Sequence, residues 1–224
     1  MENAVQILMT EFVTHDVKRF ILEKPEDLQF TPGQATEISI NKPEWEDKQR
    51  PFTFTCRNKD KVLEFTIKSY PEHNGVTEKL HQLVPGDELI IRDPFGTINY
   101  QDTGTFIAGG AGITPFIAIL RDLRDKGKLQ SNKLFFSNKK SKDVILEKEF
   151  REMFPKENLV LTLTKEDTCG YDNRYIDKNF LEKEIEDFSQ NFYVCGPPAM
   201  VRDMKKYLNE LGASTESVVF EGKN

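Results

Sequence analysis

The chain has 224 residues, 38% of them hydrophobic and 30% charged, enough for one large domain or two small ones with real cores. A net charge of −6 at pH 7 leaves no basic footprint for nucleic acid. Cys56, Cys169 and Cys195 form no CxxC pair, and His15, His73 and His81 lack metal-ligand spacing, which argues against a disulfide framework, an iron–sulfur cluster or a zinc site.

From the N-terminus, MENAVQILMTEF lacks the basic flank and long apolar run of a signal peptide. No apolar run reaches the length of a membrane span. Together with the scattered cysteines this predicts a reduced, cytoplasmic protein without membrane insertion. VQILMTEFV, VKRFILE, ATEISI, PFTFTC, VLEFTIK and DELIIR then follow as short segments rich in β-branched and aromatic residues. The turn signals KPED, TPGQ, NKPEW, RNKDK and PGD separate them. This spacing predicts an antiparallel barrel or sandwich over residues 1–99, with a short helix around TEKLHQLV.

Two stretches of this half can carry chemistry. In RPFTFT, Arg50 and Phe52 share one face of a strand and Thr53 points to the other. A guanidinium binds phosphate in bidentate fashion, and a ring stacks on a planar group. In HNGVTEKLHQL, Gly75 and Thr77 stand at a helix start, where an anion is favoured. A solvated arginine on an edge strand and a helix start without a ligand fit the same residues.

The rhythm changes near DPFGTINYQDTGT. Over residues 100–224 the strands TFIAGG, KLFFSN, LVLTLTK, NFYVCG and SVVFE alternate with the helices PFIAILRDLRDKG, DVILEKEFREMF, KNFLEKEIEDF and PAMVRDMKKYLNELG. That alternation predicts a parallel sheet covered on both faces. The expected fold is therefore a two-domain α+β chain, an antiparallel β-barrel followed by an α/β parallel-sheet domain.

FIAGGAGITPF is the first strand-to-helix turn of the second half. It matches neither GxxxxGK[ST] nor GxGxxG. Gly109, Gly110 and Gly112 open backbone angles closed to other residues and leave room for a ligand. Thr114 is placed as the N-cap and Pro115 as the first helical residue, with free N–H groups to favour an anion. YVCGPPAM is a second turn of this kind, where Cys195, Gly196 and Pro197 end a buried strand. In a parallel sheet both turns can fall on one edge and line one cleft. Two nucleotides meeting at a domain joint account for an anion site in each half.

These motifs, in this order, resemble those of the ferredoxin–NADP reductase superfamily, flavoprotein reductases with an FAD barrel and an NAD(P) domain. The resemblance spans nearly the whole chain. It rests on Pro32-Gly33-Gln34, Arg50-Pro51-Phe52-Thr53, Gly75-Val76-Thr77, Pro85-Gly86-Asp87, Asp93-Pro94-Phe95-Gly96, Gly109 to Pro115, and Cys195-Gly196-Pro197-Pro198-Ala199-Met200. Phe52 stands where the family usually has Tyr, and Asp93 where it has Gly.

The resemblance implies that Phe52 packs on the flavin of FAD and that Thr53 hydrogen-bonds near its N5. It places Arg50 on the pyrophosphate, helped by Lys68 and the Gly75, Val76 and Thr77 segment. It sets Gly110, Gly112, Thr114 and Pro115 around a pyridine nucleotide, Cys195 beside the nicotinamide, with Gly196 and Pro197, and Glu221 near the flavin. At the second strand's end, FFSNKKSKD offers Ser137, Lys139 and Lys140 and no acid before Asp143, which leans toward NADPH or toward use of both nucleotides. The implied enzyme is an FAD-dependent NAD(P)H reductase feeding a separate electron carrier, such as ferredoxin or flavodoxin, or a small-molecule acceptor, and a monomer is compatible with it. The alternatives are the reductase component of an oxygenase or cytochrome-type system and a non-catalytic nucleotide-binding module.

Overall fold

The computed structural model describes residues 2–96, 98–214 and 218–220. The chain divides into two compact units, Met1–Gly96 with Thr114–Ile119 and Thr97–Ile113 with Leu120–Asn224.

The first unit is a six-stranded antiparallel sheet. Its strands are β1 (Asn3–Thr14), β2 (Val17–Glu23), β3 (Ala35–Ile40), β4 (Arg50–Thr53), β5 (Val62–Lys68) and β6 (Glu88–Ile91), in the order β4-β3-β6-β1-β2-β5. The two outer strands meet just beyond β4, where the Thr55 N–H donates to the Glu64 carbonyl at 2.9 Å. That contact curls the sheet toward a barrel. Alternation supplies the interior: Val5 and Ile7, Phe20 and Leu22, and Leu63, Phe65 and Ile67 point to one core. Phe30 stacks on Phe54 there at 4.1 Å. The short helix α1 (Val76–His81) adds Val76 and Leu80 to this core. Lys18 is buried beside it, donating to the carbonyls of His81 at 3.1 Å and Leu83 at 2.8 Å. A buried ammonium needs such partners, because desolvation disfavours the charge.

The second unit is a five-stranded parallel sheet of β7 (Gly104–Gly109), β8 (Lys133–Asn138), β9 (Leu159–Leu163), β10 (Asn191–Cys195) and β11 (Val218–Phe220). Its order is β11-β10-β7-β8-β9. The helices of this half of the chain are α2 (Thr114–Asp125), whose residues Thr114–Ile119 count with the first unit, α3 (Glu147–Met153), α4 (Lys178–Glu184) and α5 (Pro198–Glu210). Every residue of the central β7 is buried, as a strand covered on both faces requires.

Two helices are shorter than their hydrophobic patterns predict. Only Glu147–Met153 of DVILEKEFREMF forms α3; Ser141–Asp143 is a 3-10 turn, and Leu146 sits at φ 52 just before the helix. The Asp143 carboxylate accepts the Lys140 N–H at 3.0 Å, holding a turn where a helix would need that backbone. KNFLEKEIEDF stops at Glu184 because Ile185 turns extended and buries its side chain in the core.

Candidate functional site

The strand order of the second unit reverses between β7 and β10, with β8 and β9 on one side and β11 on the other. Ligands of open α/β sheets bind outside the carboxyl ends of the strands at such a reversal. Ala108 of β7 pairs with Cys195 of β10, so the two glycine-bearing turns leave the sheet side by side.

Their packing explains the glycines. A Cβ on Gly112 would lie 2.4 Å from the Cys195 carbonyl oxygen and 2.6 Å from the Gly196 Cα. A Cβ on Gly109 would meet the Met200 Sδ at 2.4 Å and the Pro197 Cδ at 2.9 Å. At Gly112 the turns abut backbone to backbone, and at Gly109 the Met200 and Pro197 side chains fill the contact. Gly110 differs: its φ is +53°, and a Cβ there would meet nothing within 4 Å. The turn is thus open on that side, which fits the close approach of a nucleotide to the backbone.

The cap expected at Thr114 is not there. Gly110–Ile113 forms a 3-10 turn that runs straight into α2, so Ile113 occupies the cap position and Thr114 is the first helical residue, with Pro115 second. The turn is already helical in hand, so the helix needs no extended capping residue. Pro197 precedes α5 and Pro198 opens it, as expected. Cys195 is 3% exposed at the end of β10.

Ser137 on β8 pairs with Gly109 across the sheet and is half-buried, whereas Lys139 and Lys140 are exposed. The backbones after β8 and β9 run together here: the Lys165 N–H donates to the Lys139 carbonyl and the Thr164 N–H to the Asn138 carbonyl, each at 2.9 Å. This brings in an acid that sequence reasoning missed. The Glu166 carboxylate accepts the Ser141 hydroxyl at 2.8 Å and the Ser141 N–H at 2.9 Å. Those two bonds, the hydroxyl's first, hold its carboxyl below the ordinary value, with the Lys140 charge a smaller aid. Glu166 lies 25 residues beyond Ser141 in sequence. The one available signal was that the ends of neighbouring parallel strands share an edge. The amide of buried Asn138 has no hydrogen-bond partner among the described residues.

In the first unit, Arg50, Pro51, Phe52 and Thr53 make up β4. The Arg50 side chain is exposed and donates to the neighbouring Gln49 carbonyl at 2.7 Å. Phe52 packs partly buried on the barrel core, while Thr53 is buried. Two residues on, the Thr55 hydroxyl lies 3.3 Å from the Thr66 hydroxyl and donates to the Glu64 carboxylate at 2.8 Å. The end of β4 is therefore pinned beside β5, whose last residue is Lys68. That lysine pairs with Asp16 at 2.8 Å. Gly75 takes the cap position of α1 and supplies no capping side chain; Val76 is buried and Thr77 half-buried. Arg50 and Phe52 thus lie on β4, Lys68 at the end of β5 and Gly75 to Thr77 at the start of α1. Glu221 lies outside the described residues. Among the described residues no cluster of His, Cys, Asp and Glu fits a metal ion.

Residues 4–100 match the oxidoreductase FAD-binding domain and residues 106–206 the oxidoreductase NAD-binding domain. The chain is 31% identical to an NADH-cytochrome b5 reductase 2 of Candida glabrata over 83% of its length, and spans 67% of that relative. In fold it is similar to a ferredoxin NADP+ reductase from Neisseria gonorrhoeae with bound FAD and NADP, with a TM-score of 0.83, 18% identity and 98% of each chain covered. It is likewise similar to the FAD/NAD-binding domain of a nitric oxide dioxygenase from Vibrio cholerae, with a TM-score of 0.85, 19% identity and 97% of each chain covered. Among the described residues no helix is long and apolar enough to cross a membrane.

Proposed function

The chain belongs to the ferredoxin–NADP reductase-like family of FAD- and NAD-binding oxidoreductases, and from that premise we propose that it passes electrons from a reduced pyridine nucleotide through FAD to a haem protein of the cytochrome type. Residues 1–99 form its flavin domain and residues 100–224 its nucleotide domain in this reading. The observation that carries it is the pair of abutting turns, Gly109–Ile113 and Cys195–Pro197, at the reversal of the parallel sheet.

The ferredoxin or flavodoxin carrier expected from the sequence gives way to a cytochrome-type acceptor. The relative at 31% identity is named for cytochrome b5, whereas the likeness to a ferredoxin NADP+ reductase stands at 18% and carries the fold alone.

Flavin and nicotinamide supply the hydride chemistry when bound, and the protein supplies position and polarity. Arg50 and Lys68 would hold the FAD pyrophosphate with the backbone of Gly75, Val76 and Thr77. Phe52 would stack on the ring system, and the Thr53 hydroxyl would hydrogen-bond its edge. Gly110, Gly112, Thr114 and Pro115 would carry the phosphates of the pyridine nucleotide, with Ser137 and Lys139 toward its ribose. Cys195, Gly196 and Pro197 would border the nicotinamide, where Cys195 excludes water and fixes ring position. The anaerobic spectrum of the FAD-loaded protein tests this. A yellow protein bleached by NADH or NADPH, and re-oxidised faster by a b-type cytochrome than by ferredoxin, is the expected result. A protein that stays colourless with FAD supplied, or one that prefers ferredoxin, overturns it.

A further inference from the structure

β1 is longer than one of the strands beside it. On one side β2 follows it as far as Thr14, which pairs with Val17. On the other side β6 pairs only with Asn3–Gln6. The last bonds there run from the Ile7 N–H to the Asp87 carbonyl and from the Gly86 N–H to the Ile7 carbonyl, each at 2.8 Å, where β6 begins. Among the described residues no strand pairs with this edge of β1 beyond Ile7. Met9, Thr10, Glu11 and Phe12 pair in regular register with Ile21, Phe20, Arg19 and Lys18 of β2, and the two register shifts of β1 lie at the ends of that run. Leu8, Met9 and Phe12 are 44%, 44% and 63% exposed. An open edge with apolar side chains is a template for another strand, which proteins usually blunt with lysine, proline or a covering segment. Leu8 to Val13 contain neither lysine nor proline, and their one charge, Glu11, is already paired with Arg19 of the same sheet.

We propose that this edge is a self-pairing site: residues Leu8 to Phe12 pair antiparallel with the same residues of a second copy of the chain, about a two-fold axis at Thr10. The segment's own sequence selects that partner. Pairing centred on Thr10 sets Leu8 opposite Phe12, Met9 opposite Glu11 and Thr10 opposite itself. Apolar meets apolar at the ends, hydroxyl meets hydroxyl at the centre, and no carboxylate meets another, which are pairs that stabilise antiparallel ladders. Moving the axis one residue to Glu11 would set two carboxylates face to face. A two-fold contact requires this kind of self-complementarity. The paired segment is about 17 Å long, and a strand of that length buries less than the roughly 1,200 Å² of a standard interface, so the dimer forms with rising concentration and is not obligate. The edge lies outside the residues proposed to hold FAD or the pyridine nucleotide, so the inference does not rest on the reductase reading.

The test is sedimentation of the whole chain over a wide range of concentration, for wild type, Thr10→Lys, Thr10→Glu, an equal mixture of those two, and Tyr175→Ser as an exposed control in the other unit. Wild type and the control are expected to pass from monomer to dimer as concentration rises. Each charge variant meets its own charge across the axis, so its dimer dissociation constant should rise by on the order of tenfold or more, and the mixture should dimerise again because lysine then faces glutamate. Recovery in the mixture cannot come from misfolded variants. Hydrogen exchange of the wild type supplies an independent readout: amides between Leu8 and Phe12 should gain protection as the dimer forms. A wild type that stays monomeric at every concentration, a dimer indifferent to both charges, a mixture that stays monomeric, or protection that rises only elsewhere overturns the self-pairing.

Discussion

Gly112 makes the sharpest demand on a single residue. Its missing Cβ would overlap backbone atoms of Cys195 and Gly196, which cannot swing aside as a side chain does. Gly112→Ala is expected to cost at least about 2 kcal/mol of stability and to weaken nucleotide binding by parting the two turns. Urea denaturation and calorimetry check this; a fully stable variant would show that the turns can slide. Cys195→Ser keeps the volume nearly constant and changes chiefly the polarity at the strand end. We expect hydride transfer in stopped flow to slow roughly ten- to a hundredfold with FAD retained, since small misplacements near reacting atoms are costly. The three thiols should also separate in reactivity. Cys169 is exposed. Cys56 is buried, accepts the Glu64 N–H on its sulfur at 3.2 Å and has its thiol pushed up to about 12, chiefly by burial. A disulfide reagent should label one thiol quickly in the native protein, Cys169→Ser should abolish that fast phase, and Cys56 should react only on unfolding.

At the scale of elements, the end of β5 is tied to the β1–β2 turn by Lys68 and Asp16. Burial alone would raise the Asp16 carboxyl. Hydrogen bonds from Lys68 and Thr14, followed by the Lys68 charge, outweigh it and hold the group below its ordinary 3.8. A carboxyl lowered by folding stabilises the native state above its unfolded value and loses that contribution as pH falls through the folded one. The urea midpoint of the wild type should therefore fall more steeply below about pH 4 than that of Asp16→Asn, with the two curves converging in acid. Equal slopes would mean the pair contributes nothing. Lys68→Met tests the proposed flavin contact at the same strand end, with FAD affinity expected to drop about tenfold. The strand alternation behind β1 to β6 was legible because half-buried strands repeat every two residues, as Phe20 and Leu22 do. The lengths of α3 and α4 were not. The Asp143 turn rests on a local side-chain bond that the hydrophobic period does not register, and the inward step of Ile185 depends on a core drawn from residues far along the chain.

For the molecule as a whole, bound FAD should stabilise the protein by mass action. At a hundredfold excess over its Kd the gain is about 2.7 kcal/mol, read as a rise in unfolding midpoint that Arg50→Ala should shrink. Two units of different grammar were visible from composition and period alone, since residues up to about 99 alternate every two positions and those after alternate strand with helix. The glycine turns, the Arg-Pro-Phe-Thr strand and the Cys-Gly-Pro-Pro turn were likewise readable, because each is a local run whose chemistry needs neighbouring residues. The sequence by itself thus determined the fold class, the family and the local runs proposed to hold FAD and a pyridine nucleotide. Only the tertiary structure decided which motifs touch. It set Gly112 against Cys195, 83 positions apart, and Glu166 against Ser141, because parallel strands deliver their carboxyl ends to one edge whatever their order along the chain.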